Sequence, residues 1–203
     1  MKSLTIVLLL IPFASAQQTS HVMDGEQNGG AAIVYSEGGA FIIDAPNGWT
    51  VDREVGKKHG VCCVYYPKGS SFENSETVMY PNIITKGPGQ STLDEFMASD
   101  LADFRDHSPN MTYENGADIH LKNRRVAKLR IFHNVNQGSS EAVAYIDEEK
   151  IIALFVVSSK TRKGLNSSIP TLRSILQSYG YMDVKFENGA QQDQKRSFQF
   201  PKD

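Results

Sequence analysis

The run Ile151-Ile152-Ala153-Leu154-Phe155-Val156-Val157 is apolar without a break. A strand with one wet face alternates apolar and polar residues, because successive side chains point to opposite sides; an unbroken apolar run of strand length suits a strand buried on both faces. The sheet that holds it must then be covered on both sides. Ala117 to Leu121, Val126 to Asn134 and Glu141 to Ile146 precede it, separated by turn signals at Lys122-Asn123, Gln137-Gly138 and Asp147-Glu148-Glu149. Such short separations join antiparallel neighbours, so a meander ending at Ser158 is expected.

Two helices offer the cover. Pro88-Gly89 breaks what precedes Thr92, and Thr92 with Glu95 matches a capping box. Leu93, Phe96, Met97, Leu101 and Phe104 then recur at helical spacing, up to a stop at Pro109. A second helix is expected from about Ile169 to Tyr179, with Ser167 or Ser168 as cap, Pro170 in the first turn and Gly180 at the end. Upstream, Ile33 to Tyr35 and Ala40 to Asp44 read as strands before a Pro46-Asn47-Gly48 turn, after which Trp49 is expected to fold back onto the core. Val61 to Tyr66 and Thr77 to Thr85 are β-rich, and Pro81 inside the latter suggests an edge position or a bulge. The fold class read from this pattern is α+β, a mainly antiparallel sheet covered by helices.

The N-terminus has the form of an export signal: Lys2, an apolar stretch from Leu4 to Phe13, then Ala14-Ser15-Ala16. Cleavage is expected after Ala16, giving a periplasmic or secreted protein. The stretch is shorter than the roughly 20 residues a span needs, and no cysteine sits near Ala16 to take a lipid, so no stable membrane anchor is expected. Residues 17–31 read as a flexible lead-in, 32–183 as a single α/β domain and 184–203 as a polar, disordered tail. With 21 basic against 23 acidic residues there is no global pull toward nucleic acid. The basic cluster Lys122, Arg124, Arg125 and Lys128 reads as a solvated hairpin tip.

The order of these elements resembles the PsbP-like and DcrB-like families of exported proteins, an α/β/α sandwich. Phe41, Ile43, Pro46, Gly48 and Trp49 carry the likeness near the start, with Leu93 and Phe96 in the first helix, and element order extends it across residues 41–182. The resemblance implies a fold and a non-catalytic accessory or binding role. No catalytic or ligand motif of the family falls on named residues here.

Residue chemistry adds little. His21, His59, His107, His120 and His133 form no metal-ligand spacing, and Gly-x-Ser-x-Gly and Ser-x-x-Lys are missing, so no metal or cofactor is expected. With a two-residue turn at Lys122-Asn123, His120 should face Arg125 and His133 should face Thr112. Cys62 and Cys63 are adjacent and cannot join distant parts of the chain. Strand geometry would send them to opposite faces as free thiols, at most one reachable; the alternative is a redox pair closing a strained vicinal disulfide. Tyr65, Tyr66, Phe72 and Tyr80 surround the polar loop 68–75, and either fill core or form a recognition surface. The candidate partner-binding residues are Tyr66, Lys68, Ser70, Ser71, Phe72 and Asn74. Asn110-Met111-Thr112 and Asn166-Ser167-Ser168 fit the glycosylation sequon. The expected role is an exported binding or accessory module whose partner is another exported protein or an envelope component; the alternative is a hydrolase whose site is assembled in space.

Overall fold

The computed structural model describes residues 30–183 other than 89, 90 and 137. The expected signal peptide, residues 17–29 and the tail from 184 lie outside the described residues. In chain order the elements are β1 (Ala31–Ser36), β2 (Gly39–Asp44), β3 (Trp49–Asp52), α1 (Arg53–Lys58), β4 (Val64–Pro67), β5 (Thr77–Thr85), α2 (Leu93–His107), β6 (Thr112–Asn115), β7 (Ile119–His120), β8 (Val126–Val135), β9 (Ser139–Asp147), β10 (Ile151–Ser159), α3 (Arg162–Leu176) and β11 (Gly180–Met182). Among the described residues, one sheet runs β3-β4-β5-β10-β9-β8-β6, with β7 also on β8, and a smaller one runs β1-β2-β11. The pairings are antiparallel, giving the expected α+β class.

Strand β10 lies inside the large sheet, and its side chains part into two cores. Ile151, Ala153, Phe155 and Val157 join a cluster with Leu165, Leu172, Ile175 and Leu176 of α3 and with Val34, Phe41 and Ile43 of the small sheet. Ile152, Leu154 and Val156 join Phe96, Met97 and Phe104 of α2, with Phe132 and Tyr145. One face is thus covered by α3 and the three-stranded sheet together, the other by α2. Phe104 stacks on Phe132 with ring centroids 4.0 Å apart.

Several boundaries differ from the sequence expectation. Helix α3 starts at Arg162, with Thr161 as cap accepting from the Gly164 N–H at 3.0 Å, so Pro170 is interior and Ser167 and Ser168 are not caps. Only Leu165 marked the first two turns as apolar, and the Asn166 carbonyl, which the proline leaves without a helical donor, belongs to an exposed residue open to solvent. Pro81 lies in an interior strand, not at a sheet edge. Strand β4 runs beside β5 only at Tyr65 opposite Met79, so at Pro81 one side of β5 has no ladder to break. His133 faces Thr112 as expected, but His120 faces Val126, one residue from the expected partner, because the turn Leu121–Arg125 is longer than two residues. The expectation missed β3, α1, β6 and β11, which are three to six residues long.

Helix α1 sits directly on the chain entering β4. A Cβ at Gly56 would lie 2.5 Å from the Cys63 Cα and 2.7 Å from its nitrogen, and backbone cannot move aside as a flexible side chain can. Gly56→Ala should therefore cost about 1–3 kcal/mol by overpacking, read as a lower urea midpoint at unchanged slope.

Candidate functional site

At the β3 end of the large sheet the α3-side core reaches solvent in an open cleft of about 380 Å³, lined by Trp49, Pro67, Glu76, Thr77, Thr161, Lys163, Gly164, Ser167 and Ser168. Trp49 is half-buried, with part of its surface against the core and part on the cleft. The opposite wall is the first two turns of α3. They are held to β5 by a chain of hydroxyls: Thr161 Oγ1 donates to Glu76 Oε1 at 2.5 Å, Thr77 Oγ1 to Ser159 Oγ at 2.9 Å, and Ser159 Oγ to the Glu76 carbonyl at 3.2 Å. Gly164 is needed here because a Cβ would meet Ser159 Oγ and Glu76 Oε1 at 2.5 and 2.6 Å.

The β4–β5 loop begins at Pro67 and ends at Glu76, so it shares two residues with the cleft. Lys68, Ser70 and Asn74 are exposed on it. Ser71 is half-buried and organises the turn, its Oγ accepting from the Asn74 N–H and side-chain amide at 3.3 and 3.1 Å and its carbonyl from Ser75 Oγ at 2.7 Å. Phe72 is buried in the α2-side core, 4.8 Å ring to ring from His59, so it anchors the loop and presents no surface. Tyr65 and Tyr80 are also core residues. Tyr66 is half-buried and donates to Asp52 Oδ2 at 2.9 Å; burial, then that hydrogen bond, push its phenol up to about 12. Lys160 Nζ reaches the Glu73 carbonyl at 3.1 Å and ties the loop to the start of α3. The sequence expectation found the loop but not the cleft, since nothing local indicates that residues 161–168 meet Trp49 and Pro67.

Cys62 and Cys63 lie in a bend ahead of β4, not within a strand, so alternation does not separate them. Both are buried free thiols in the α3-side core with Sγ atoms 3.3 Å apart. The hydrogen bond to Cys63, then burial, push the Cys62 thiol up. Neither thiol of the folded protein should react with a mild alkylating reagent, whereas both should react after denaturation; mass spectrometry of the labelled protein checks this.

Beneath α2 lies a buried polar layer that the sequence analysis passed over. Asp100 accepts from the Tyr145 hydroxyl, Glu141 accepts from Ser158 Oγ at 3.1 Å, and Arg130 donates to the Met97 carbonyl at 2.6 Å. Asp100 occupies the apolar stripe of α2, three residues after Met97 and four before Phe104, which was the available signal. Burial raises Asp100 to about 6 and Glu141 to about 7, the latter raised further by the Asp100 charge. Because the folded state holds the Glu141 proton more tightly than the unfolded chain, this contribution to stability is complete below about pH 4.5 and is lost as pH rises through about 7. Glu141→Gln should therefore match the parent at pH 4.5 and exceed its stability by on the order of 2 kcal/mol at pH 8, as chemical denaturation at both pH values would show. Of the histidines, His133 Nδ1 is 3.1 Å from Ser140 Oγ and His107 Nδ1 is 2.8 Å from the Asp103 carbonyl. Among the described residues no group of three or more His, Cys, Asp or Glu is placed to hold a metal ion.

No protein-family model and no curated protein matches the chain. Solved structures to which it is similar include the solution structure of cyanobacterial PsbP (CyanoP) from Synechocystis sp. PCC 6803, 15% identical, covering 78% of this chain and 98% of that one at a TM-score of 0.45. Another is the Saccharomyces cerevisiae Ran-binding protein Mog1p, 15% identical, covering 76% of this chain and 97% of that one at a TM-score of 0.46. At this identity the similarity concerns the course of the chain, and function rests on the site itself. Among the described residues no helix is long and apolar enough to cross a membrane.

Proposed function

We propose that this chain is an exported, non-catalytic binding or accessory module, periplasmic or secreted, whose partner is another exported protein or an envelope component. Export is read from the Lys2 to Ala16 segment. The observation that carries the binding role is the continuity of the β4–β5 loop with the Trp49 cleft: a half-buried indole and a proline ring beside exposed lysine, serine and asparagine side chains, on a backbone fixed by internal hydrogen bonds. Aromatic area flanked by adaptable polar groups suits protein recognition, and a loop already ordered loses little entropy on binding. The contact residues are Lys68, Ser70 and Asn74, with Trp49 and Pro67 behind them. Tyr66, Ser71 and Phe72 hold the loop in shape.

The test is capture of a partner from the protein's own compartment by the mature chain and by a Lys68→Glu/Asn74→Ala variant. Both positions are exposed, so the variant should keep its stability within about 0.5 kcal/mol. It should lose the captured partner about tenfold. Equal capture by both proteins would remove the loop from the contact surface.

A further inference from the structure

Strand β3 ends the large sheet, with β4 on one side and no strand on the other among the described residues. Its register fixes what the open side offers. The Lys68 N–H donates to the Gly48 carbonyl at 2.9 Å, and bonded pairs alternate along an antiparallel ladder, so Thr50 and Asp52 point their backbone groups toward β4. The Val51 N–H and carbonyl and the Trp49 carbonyl then face outward, while the Trp49 N–H is taken by the Pro46 carbonyl at 3.1 Å. Outward-facing backbone groups of this kind are a template for another strand. Trp49 and Val51 both pack on the α3-side core, so a strand added there would lay alternate side chains over the face that carries the cleft.

The charges around the cleft indicate the occupant. Lys68 and Lys163 make no ion pair among the described residues, and the Lys160 ammonium rests on a neutral carbonyl. The first turn of α3 carries no acid, and while Arg162 lies 4.0 Å from Glu114 of β6, Lys163 lines the cleft and adds to the positive end of the helix dipole. The acids nearby are already engaged: Glu76 accepts from Thr161 Oγ1, Asp52 accepts from the Val55 N–H and the Tyr66 hydroxyl, and Glu73 is held below the usual carboxylate range by its own backbone N–H, the Ser71 hydroxyl and the Lys58 charge, against the opposing Asp52 charge.

Resting on the binding role proposed above, we infer that the open edge of β3 and the Trp49 cleft together take an extended, acidic segment of the partner polypeptide. The segment adds to β3 through the Val51 backbone and sets an apolar side chain on the indole. Its carboxylates face Lys68 and Lys163.

Trp49 is the chain's one tryptophan, so its fluorescence reads the site without a label. The probes are three synthetic dodecapeptides: one of Asp and Glu around a central Leu-Phe-Leu, one with the acids replaced by Lys, and one acidic without apolar residues. The first should shift the Trp49 emission, with affinity falling as salt rises; the other two should not. Lys68→Glu/Lys163→Glu should weaken the first peptide about tenfold. Val51→Pro removes the outward N–H but no bond to β4, so it should fold, as circular dichroism would show, and lose the peptide. Equal binding of the acidic and basic peptides, no shift with any of them, or no effect of the double charge reversal would overturn the inference, as would full binding by a folded Val51→Pro. If Val51→Pro still captured the partner from its compartment, the binding module would stand and the β3 edge would not be its contact.

Discussion

The structure depends on the double burial of β10. Each large apolar side chain moved out of water contributes about 1.5–3 kcal/mol. Ile151, Phe155 and Val157 make that contribution on one side and Ile152, Leu154 and Val156 on the other, so both faces of the sheet need a cover. On the α2 side a single helix, the α1 segment and Phe72 supply it. On the other side α3 is too narrow for a sheet this wide, and β1, β2 and β11 complete the layer near the β5–β10 centre, with β1 resting against β5. Toward the β3 end the first two turns of α3 form one wall beside Trp49, and the cleft between them stays open to solvent.

The two covers differ in kind. The α3 side is apolar, with paired thiols inside it and, at its margin, hydroxyls and the buried Glu148, which accepts from the Tyr179 hydroxyl and pairs with Arg125. The α2 side has two carboxylates, Asp100 and Glu141, inside it, each with one hydroxyl donor and both raised by burial. Burying an ionised carboxylate is costly unless a partner compensates it, and here the Arg130 guanidinium attracts Asp100 but donates to a backbone carbonyl. Helix α2 is thus most firmly seated where those acids are protonated.

The central meander and the capped start of α2 were legible because each follows from a local rule, alternation or a capping box; the Thr112–His133 pairing came out as expected although the turn it was counted from is longer than two residues. The Pro46–Gly48 turn and Trp49 were legible too, but not that the indole would be half-open, since this depends on how far α3 reaches. The start of α3 was hidden because Arg162, Lys163 and Gly164 carry no apolar period, and Thr161 is a cap only once the helix is known. The cysteines were misplaced for a related reason. Alternation applies inside a strand, and Cys62 and Cys63 lie in the bend before β4, where α1 packs close on the backbone at Gly56. The binding loop was visible as a polar segment with an aromatic, but which residues face out was decided by Phe72 turning inward.

The central claim, that the β3 end with its loop is the surface that meets a partner, is tested most directly by placing a photoreactive side chain at Ser70 and, separately, at Thr112 on the opposite edge strand β6. Both positions are exposed on the same fold. Illumination in the native compartment should give a crosslinked adduct from position 70 and none from position 112. Adducts from position 112 with position 70 blank would place the contact at the other end of the sheet and contradict the account.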